Sequence, residues 1–170
     1  KKDGTLADIA ETYKLQDLLL GDADYEEVKA EDSDWEYIKD KGTLVVGITD
    51  FAPMDFKEGD EWVGFDADMA KAFAKELGVK VEFVEIDWDN KFFALESKAI
   101  DCIWNGMTIS DEVLKNTSCS KAYVKNAQVV VMSQENIEEY KDIESMKILA
   151  FAVESGSAGA AAAEENGLTN

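Results

Sequence analysis

The sequence predicts an α/β fold with a mainly parallel sheet, arranged as a three-layer lobe, on three observations. Short apolar runs at 43–49 (TLVVGIT), 80–86 (KVEFVEI) and 101–104 (DCIW) are separated by helix-length amphipathic stretches. Parallel strands joined by crossover helices produce this order. The run at 43–49 is apolar almost throughout, as a strand covered on both faces must be. In 101–112 (DCIWNGMTISDE) a strand ends, the chain turns at Asn105-Gly106, and a helix starts at Ser110. Edges of this kind collect ligands, because free backbone N–H and C=O groups converge there.

Taken in order, residues 3–20 read as an amphipathic helix capped by Thr5, with Leu6, Ile9, Ala10 and Tyr13 at three- and four-residue intervals. The acidic run 22–34 has no apolar period and reads as a solvated linker. A short helix beginning at Trp35 stops at Lys41-Gly42. After the first strand, 50–64 reads as a loop holding the only proline, Pro53. A helix over 66–77 carries Phe65, Met69, Phe73 and Leu77 along one stripe and stops at Gly78. A helix at 90–98 has Phe92, Phe93 and Leu95 as its apolar residues. The next, at 111–116, takes Ser110 as cap and sets Asp111 and Glu112 where the macrodipole favours acids. Beyond it, 127–132 (AQVVVM) and 147–153 (KILAFAV) read as buried strands. A polar helix at 137–146 lies between them and an alanine-rich helix follows 154–159.

The charge balance narrows the partners. Acids number 37 against 17 bases, for a net charge of −20, and every base is a lysine. That field repels phosphate backbones, so no nucleic-acid partner is expected, while cationic or zwitterionic small molecules are tolerated or attracted. With no histidine and two widely spaced cysteines, no metal site and no cofactor is expected. Cys102 and Cys119 fit either a disulfide in an oxidising compartment or two buried thiols in a reducing one. No run reaches the length of a membrane span, and a start at Lys1-Lys2 fits a mature, processed or excised segment.

Five stretches carry a resemblance: VVGITDFAPMDF at 45–56, VGFDADMAKAFAKELG at 63–78, DWDNKFFALESKAIDCIWNGMTISDE at 87–112, CSKAYVKNAQVVV at 119–131 and AVESGSAG at 152–159. Together they resemble the type II solute-binding proteins of ABC importers, in the amino-acid-binding branch. The resemblance covers 35–170 and implies a periplasmic-binding-protein-like fold in which two lobes close over one ligand. It divides the chain into lobe 1 (35–131), a hinge-proximal connection (132–146) and the start of lobe 2 (147–170), the second lobe being incomplete. Residues 1–21, with GTLADIAETYKL at 4–15, resemble instead the helix that ends such proteins, and 22–34 links it to lobe 1. This order fits a tandem array, a permuted or excised chain, or exchange of segments with another chain. The leading segment is expected to pack on lobe 1.

The resemblance implies a non-catalytic protein outside the cytoplasm, in the periplasm or as a cell-surface lipoprotein. It would bind an amino acid or related amine and deliver it to the membrane permease of an ABC importer. A ligand-sensing domain of a receptor would use the same site. A dehydratase-like activity would need a proton-transfer group, and only Asp and Glu are available for that, with no pair at a catalytic spacing.

By position, Phe51 and Trp88 match the family's aromatic pair that brackets the ligand side chain; flat rings bury aliphatic stems and attract cations. Asp50 stands beside Phe51 in a loop one residue shorter than in many relatives. Gly106 and Thr108 match positions whose backbone and hydroxyl groups hold the ligand's α-amino and α-carboxylate groups, and Met107 is a wall residue. One departure concerns the arginine that the family places three residues past this turn: Val113 stands there. A carboxylate would rest instead on the Thr108 amide and on the amides of Gly156, Ser157 and Ala158 at a helix start. A lost charged hydrogen bond is worth about 1.5–3 kcal/mol, so the resemblance implies a weakly held amino acid or a ligand without that carboxylate. Glu154 replaces the usual Gln or Lys; with Asp50, Asp87 and Asp89 it either biases the cleft toward cations or belongs to a generally acidic surface.

Overall fold

Residues 3–21 and 34–170 are described by the computed structural model. They divide into two units, Lys1–Lys125 and Asn126–Asn170.

In the first unit, helix α1 (Thr5–Thr12) is capped by Gly4 at φ 88°, not by Thr5, whose amide is held by the Asp3 carboxylate at 3.1 Å. The helix expected to continue to residue 20 breaks early, because Lys14 adopts φ 59°. That left-handed residue turns the chain into a single 3-10 turn (Gln16–Leu18). Leu19 then bridges antiparallel to Val124, with the Leu20 amide on the Tyr123 carbonyl at 2.9 Å and the Lys125 amide on the Leu18 carbonyl at 2.8 Å. The linker expected at 22–34 lies outside the described residues, except for Asp34, which opens helix α2 (Asp34–Lys41).

Strand β1 (Thr43–Ile48) follows, with Leu44, Val46 and Ile48 buried. The stretch 50–64, expected to be loop, contains a hairpin of β2 (Phe56–Glu58) and β3 (Glu61–Val63). Its two-residue turn is Gly59-Asp60, and Gly59 at φ 65° supplies the left-handed backbone such turns need. Helix α3 (Phe65–Leu77) ends at Gly78 as expected. Its sheet-facing side is alanine, however, not the large stripe. Ala70 and Ala74 cluster with Leu44 and Val46, and Ala67 clusters with Ile48 and Trp62. Small side chains let the helix lie close on β1, leaving Phe73 exposed and edge-on to Trp104 at 5.7 Å. The other side of α3 meets α1, where Phe65 buries against Leu6 and Ala10.

Strand β4 (Lys80–Glu85), helix α4 (Lys91–Glu96), strand β5 (Cys102–Ile103) and helix α5 (Asp111–Asn116) complete the unit. The sheet is parallel in the order β4-β1-β5, with Thr43 opposite Lys80 and Val46 opposite Cys102. A strand as short as β5 is held in register from its N-terminal side. The Asp101 carboxylate accepts the Val45 amide at 2.7 Å and pairs with Lys41 at 2.7 Å, while the Asp101 amide reaches the Val45 carbonyl at 2.8 Å. Cys102 and Cys119 are free thiols; burial, and then the Asp101 charge, push the Cys102 thiol up to about 12.

The second unit holds a single 3-10 turn (Gln134–Asn136), helix α6 (Ile143–Met146) with an Asp142–Ser145 capping box, and helix α7 (Ala158–Glu165). The helix expected over 137–146 is thus confined to its last turn. Neither 127–132 nor 147–153 is a strand, and Val129, Val131 and Ile148 are exposed. An apolar run becomes a strand only beside a partner that satisfies its N–H and C=O groups, and no described strand lies alongside either run.

Candidate functional site

Parallel strands in the order β4-β1-β5 bring their C-terminal ends to one rim, and each strand is followed there by a loop that carries predicted site residues. Asp50 and Phe51 follow β1, Trp88 follows β4, and Gly106, Met107 and Thr108 follow β5. Asp50 is exposed. Phe51 is half exposed, at 53%, and sits on a closed turn: its amide donates to the Asp55 carbonyl at 2.7 Å, and the Asp55 amide returns to the Phe51 carbonyl at 3.0 Å.

The structure brings Phe51 and Gly106 together. Gly106 has φ 61°, and a Cβ placed on it would lie 3.1 Å from the Phe51 ring and 3.3 Å from Met54 Cγ. Glycine is required there twice over, by backbone conformation and by the ring on its face. Asn105, beside it, is buried and ties the β5 loop to β1. Its side-chain oxygen accepts the Thr49 amide at 2.8 Å, and its side-chain nitrogen donates to the Thr49 hydroxyl at 2.6 Å. Met107 and Thr108 are half-buried.

Trp88 lies in a single 3-10 turn (Trp88–Asn90) whose start is capped by Asp87, its carboxylate accepting the Asp89 amide at 3.0 Å. The indole belongs to none of the buried core clusters of the described residues and is half-buried. Lys91, only 5% exposed, sets its ammonium 5.0 Å from the centre of the Trp88 ring and 4.8 Å from that of Phe92, and donates to the Trp88 carbonyl at 3.2 Å.

Three residues behind this rim escaped the sequence reading. Asp66 is fully buried; its carboxylate accepts the Gly106 amide on one oxygen and the Tyr123 hydroxyl, at 2.7 Å, on the other. Asp55 is also fully buried, yet neither of its oxygens has a hydrogen-bond partner among the described residues. Burial raises both acids. Asp55 is pushed up to about 8, by loss of water first and by the Asp66 charge second. For Asp66 the hydrogen bonds from Tyr123 and Gly106 work against the rise. The signal for Asp66 was the Gly-Phe-Asp helix start, which reads as an ordinary first-turn acid; Asp55 and Tyr123 gave no signal beyond their place in the matched stretches.

In the second unit, Ser157 caps α7 by accepting the Ala160 amide at 3.1 Å, and Ala158 is the first residue of that helix. Gly156 turns the chain at φ 66°. The Ser157 amide donates to the Glu154 carbonyl at 3.3 Å, and the Glu154 side chain is exposed. Val113, where the arginine was missed, is buried at 4% and faces the interior.

The model of one family, bacterial extracellular solute-binding proteins, family 3, matches residues 44–166. The chain belongs to that family. Among curated relatives it is 34% identical over 110 residues to the arginine-binding extracellular protein ArtP of Bacillus subtilis, a match covering 64% of this chain and 43% of ArtP. It is 36% identical over 111 residues to the L-cystine-binding protein TcyA of the same organism, covering 63% of this chain and 41% of that one. The chain therefore spans about two fifths of the length of these family members. Its fold is similar, at TM-score 0.76 and 31% identity, to an amino acid ABC transporter substrate-binding protein from Streptococcus pneumoniae bound to L-arginine, over 82% of this chain and 61% of that one. The architecture is accordingly that of a type II periplasmic-binding-protein-like fold.

Proposed function

We propose that this chain is the ligand-capturing part of a non-catalytic extracytoplasmic binding protein that takes up an amino acid or related amine and passes it to the permease of an ABC importer. The observation that carries the reading is the single sheet rim on which Phe51, Trp88 and Gly106–Thr108 follow three neighbouring strand ends, with Phe51 laid against Gly106. Aromatic rings beside a strand-end turn suit a zwitterion: a ring covers the side chain while backbone groups of the turn, other than the Gly106 amide that Asp66 holds, meet the charged end. Relatives that bind arginine or cystine favour the same class of ligand.

A cationic ligand fits best. Asp50, Asp87 and Asp89 stand exposed around the rim, the chain carries net charge −20, and such a field concentrates positive ligands. On this rim the ligand's carboxylate is assigned to the backbone at Thr108, in place of the missing arginine.

Isothermal titration calorimetry of the complete protein containing this chain tests the proposal, with L-arginine, L-histidine and L-cystine as probes. Binding of at least one, strongest for a cationic amino acid and weakened by Trp88→Ala by about tenfold, is expected. No binding heat with any of them, or binding indifferent to Trp88→Ala, overturns it.

A further inference from the structure

Two buried carboxyls lie behind the rim, and they are unlike in one respect. Asp66 accepts two donors, the Gly106 amide and the Tyr123 hydroxyl. Asp55 accepts none. A carboxylate is stabilised by donors, whereas a buried one without donors or a cation carries the full cost of lost hydration. No ion pair among the described residues involves Asp55. The groups that face it are the Asp66 carboxyl, the Tyr123 hydroxyl and the Ala67 amide in the first turn of α3; the amide favours a charged Asp55, the Asp66 charge opposes it, and burial outweighs the amide.

Both acids are joined to the site by main-chain bonds. Asp55 closes the turn that presents Phe51, through the pair of backbone bonds described above. Asp66 holds Gly106, and its own amide bonds the Met54 carbonyl at 2.9 Å, next to Asp55. Gly64 makes the contact close: a Cβ there would fall 2.9 Å from Asp55 Cα. Charge on Asp55 would therefore act on the two backbone segments that form the Phe51–Gly106 contact.

We infer that Asp55 and Asp66 are positioning residues for this rim, a neutral Asp55 allowing the Phe51 turn and the Asp66-held Gly106 loop to stay in contact, and ionised Asp55 driving them apart. Ligand capture is then proton-linked, full while Asp55 is neutral and weakened once it ionises. The titration expected at about 8 sets the window. The sign for stability follows. Folded Asp55 keeps its proton where the unfolded side chain, with an ordinary value of about 3.9, has lost it. Its contribution is therefore complete below about 3.9, falls as pH rises, and is lost once pH passes the folded value.

This inference rests on the amino-acid-binding reading only for its consequence in ligand affinity, so it is tested in two arms. In the 170-residue chain, the Asp55 carboxyl carbon and the Phe51 and Gly106 amides are followed by NMR as pH is raised. All three are expected to shift with one midpoint near 8, and Asp55→Asn is expected to abolish the amide shifts while leaving the fold intact. Tyr123→Phe, which removes one donor from Asp66, should move the Gly106 amide at every pH. An Asp55 that titrates in the ordinary carboxylate range, or amide shifts that persist in Asp55→Asn, overturns the inference. In the second arm the complete protein is titrated with L-arginine at about pH 6 and about pH 9. Affinity is expected to fall about five- to tenfold across that range, and Asp55→Asn to bind equally at both. A fall that survives in Asp55→Asn also overturns the inference. Absence of arginine binding at both pH values counts against the functional reading alone, and the first arm still decides the role of the two acids.

Discussion

Gly106 shows how much of the site is decided by one residue. Its φ of 61° is costly for any residue with a side chain, its amide is spoken for by Asp66, and its open face lies against Phe51. Gly106→Ala forces a left-handed alanine at about 1–2 kcal/mol and pushes a methyl to 3.1 Å from the Phe51 ring. The chain is expected to fold, with a midpoint of urea unfolding lowered accordingly, and the complete protein to lose about tenfold or more in ligand affinity. Unchanged affinity by calorimetry would mean that this glycine is a turn residue and no more.

At the scale of elements, the rim exists because a strand as short as β5 is fixed at both ends. Asn105 ties its exit to Thr49, and Asp101 ties its entry to Val45 and Lys41. The Asp101 side chain is only 5% exposed, so removing it leaves the part-buried Val45 amide and the Lys41 ammonium without their carboxylate. Asp101→Ala is expected to cost about 2–4 kcal/mol, measured by urea denaturation, and to broaden the Gly106–Thr108 amides in NMR. The alternation of strands and helices was legible in the sequence because β1 is apolar nearly throughout and Ser110 and Gly78 mark helix ends. Alanine's role on α3 was not, since pattern reading weights large side chains, whereas close helix–sheet approach selects small ones. The runs 127–132 and 147–153 misled for the opposite reason: apolar content was read as strand, and strandedness depends on a neighbour that local sequence does not specify. Phe51, Trp88 and Gly106 were legible by their place in the matched stretches. Asp55 and Asp66 were not, because nothing in a residue's letter says whether it is buried, and in a chain this acidic two more acids look like surface.

For the molecule as a whole, an acid excess on the scale of −20 acts through its field, drawing cations toward whichever surface has shape to hold them. The rim proposed for capture, after β4, β1 and β5, carries two aromatic rings, the Gly106 turn and a set of exposed aspartates. The opposite rim, at Gly42, Gly78 and Val79, carries none of the predicted site residues and serves as the internal control. The decisive measurement is the amide and indole spectrum of the isotopically labelled complete protein as L-arginine is added. Shifts concentrated at Phe51, Gly106, Thr108 and the Trp88 indole, with Gly42, Gly78 and Val79 unmoved, are expected. Binding that shifts the opposite rim, or that leaves Gly106 and the Trp88 indole where they were, would contradict capture at this edge of the sheet.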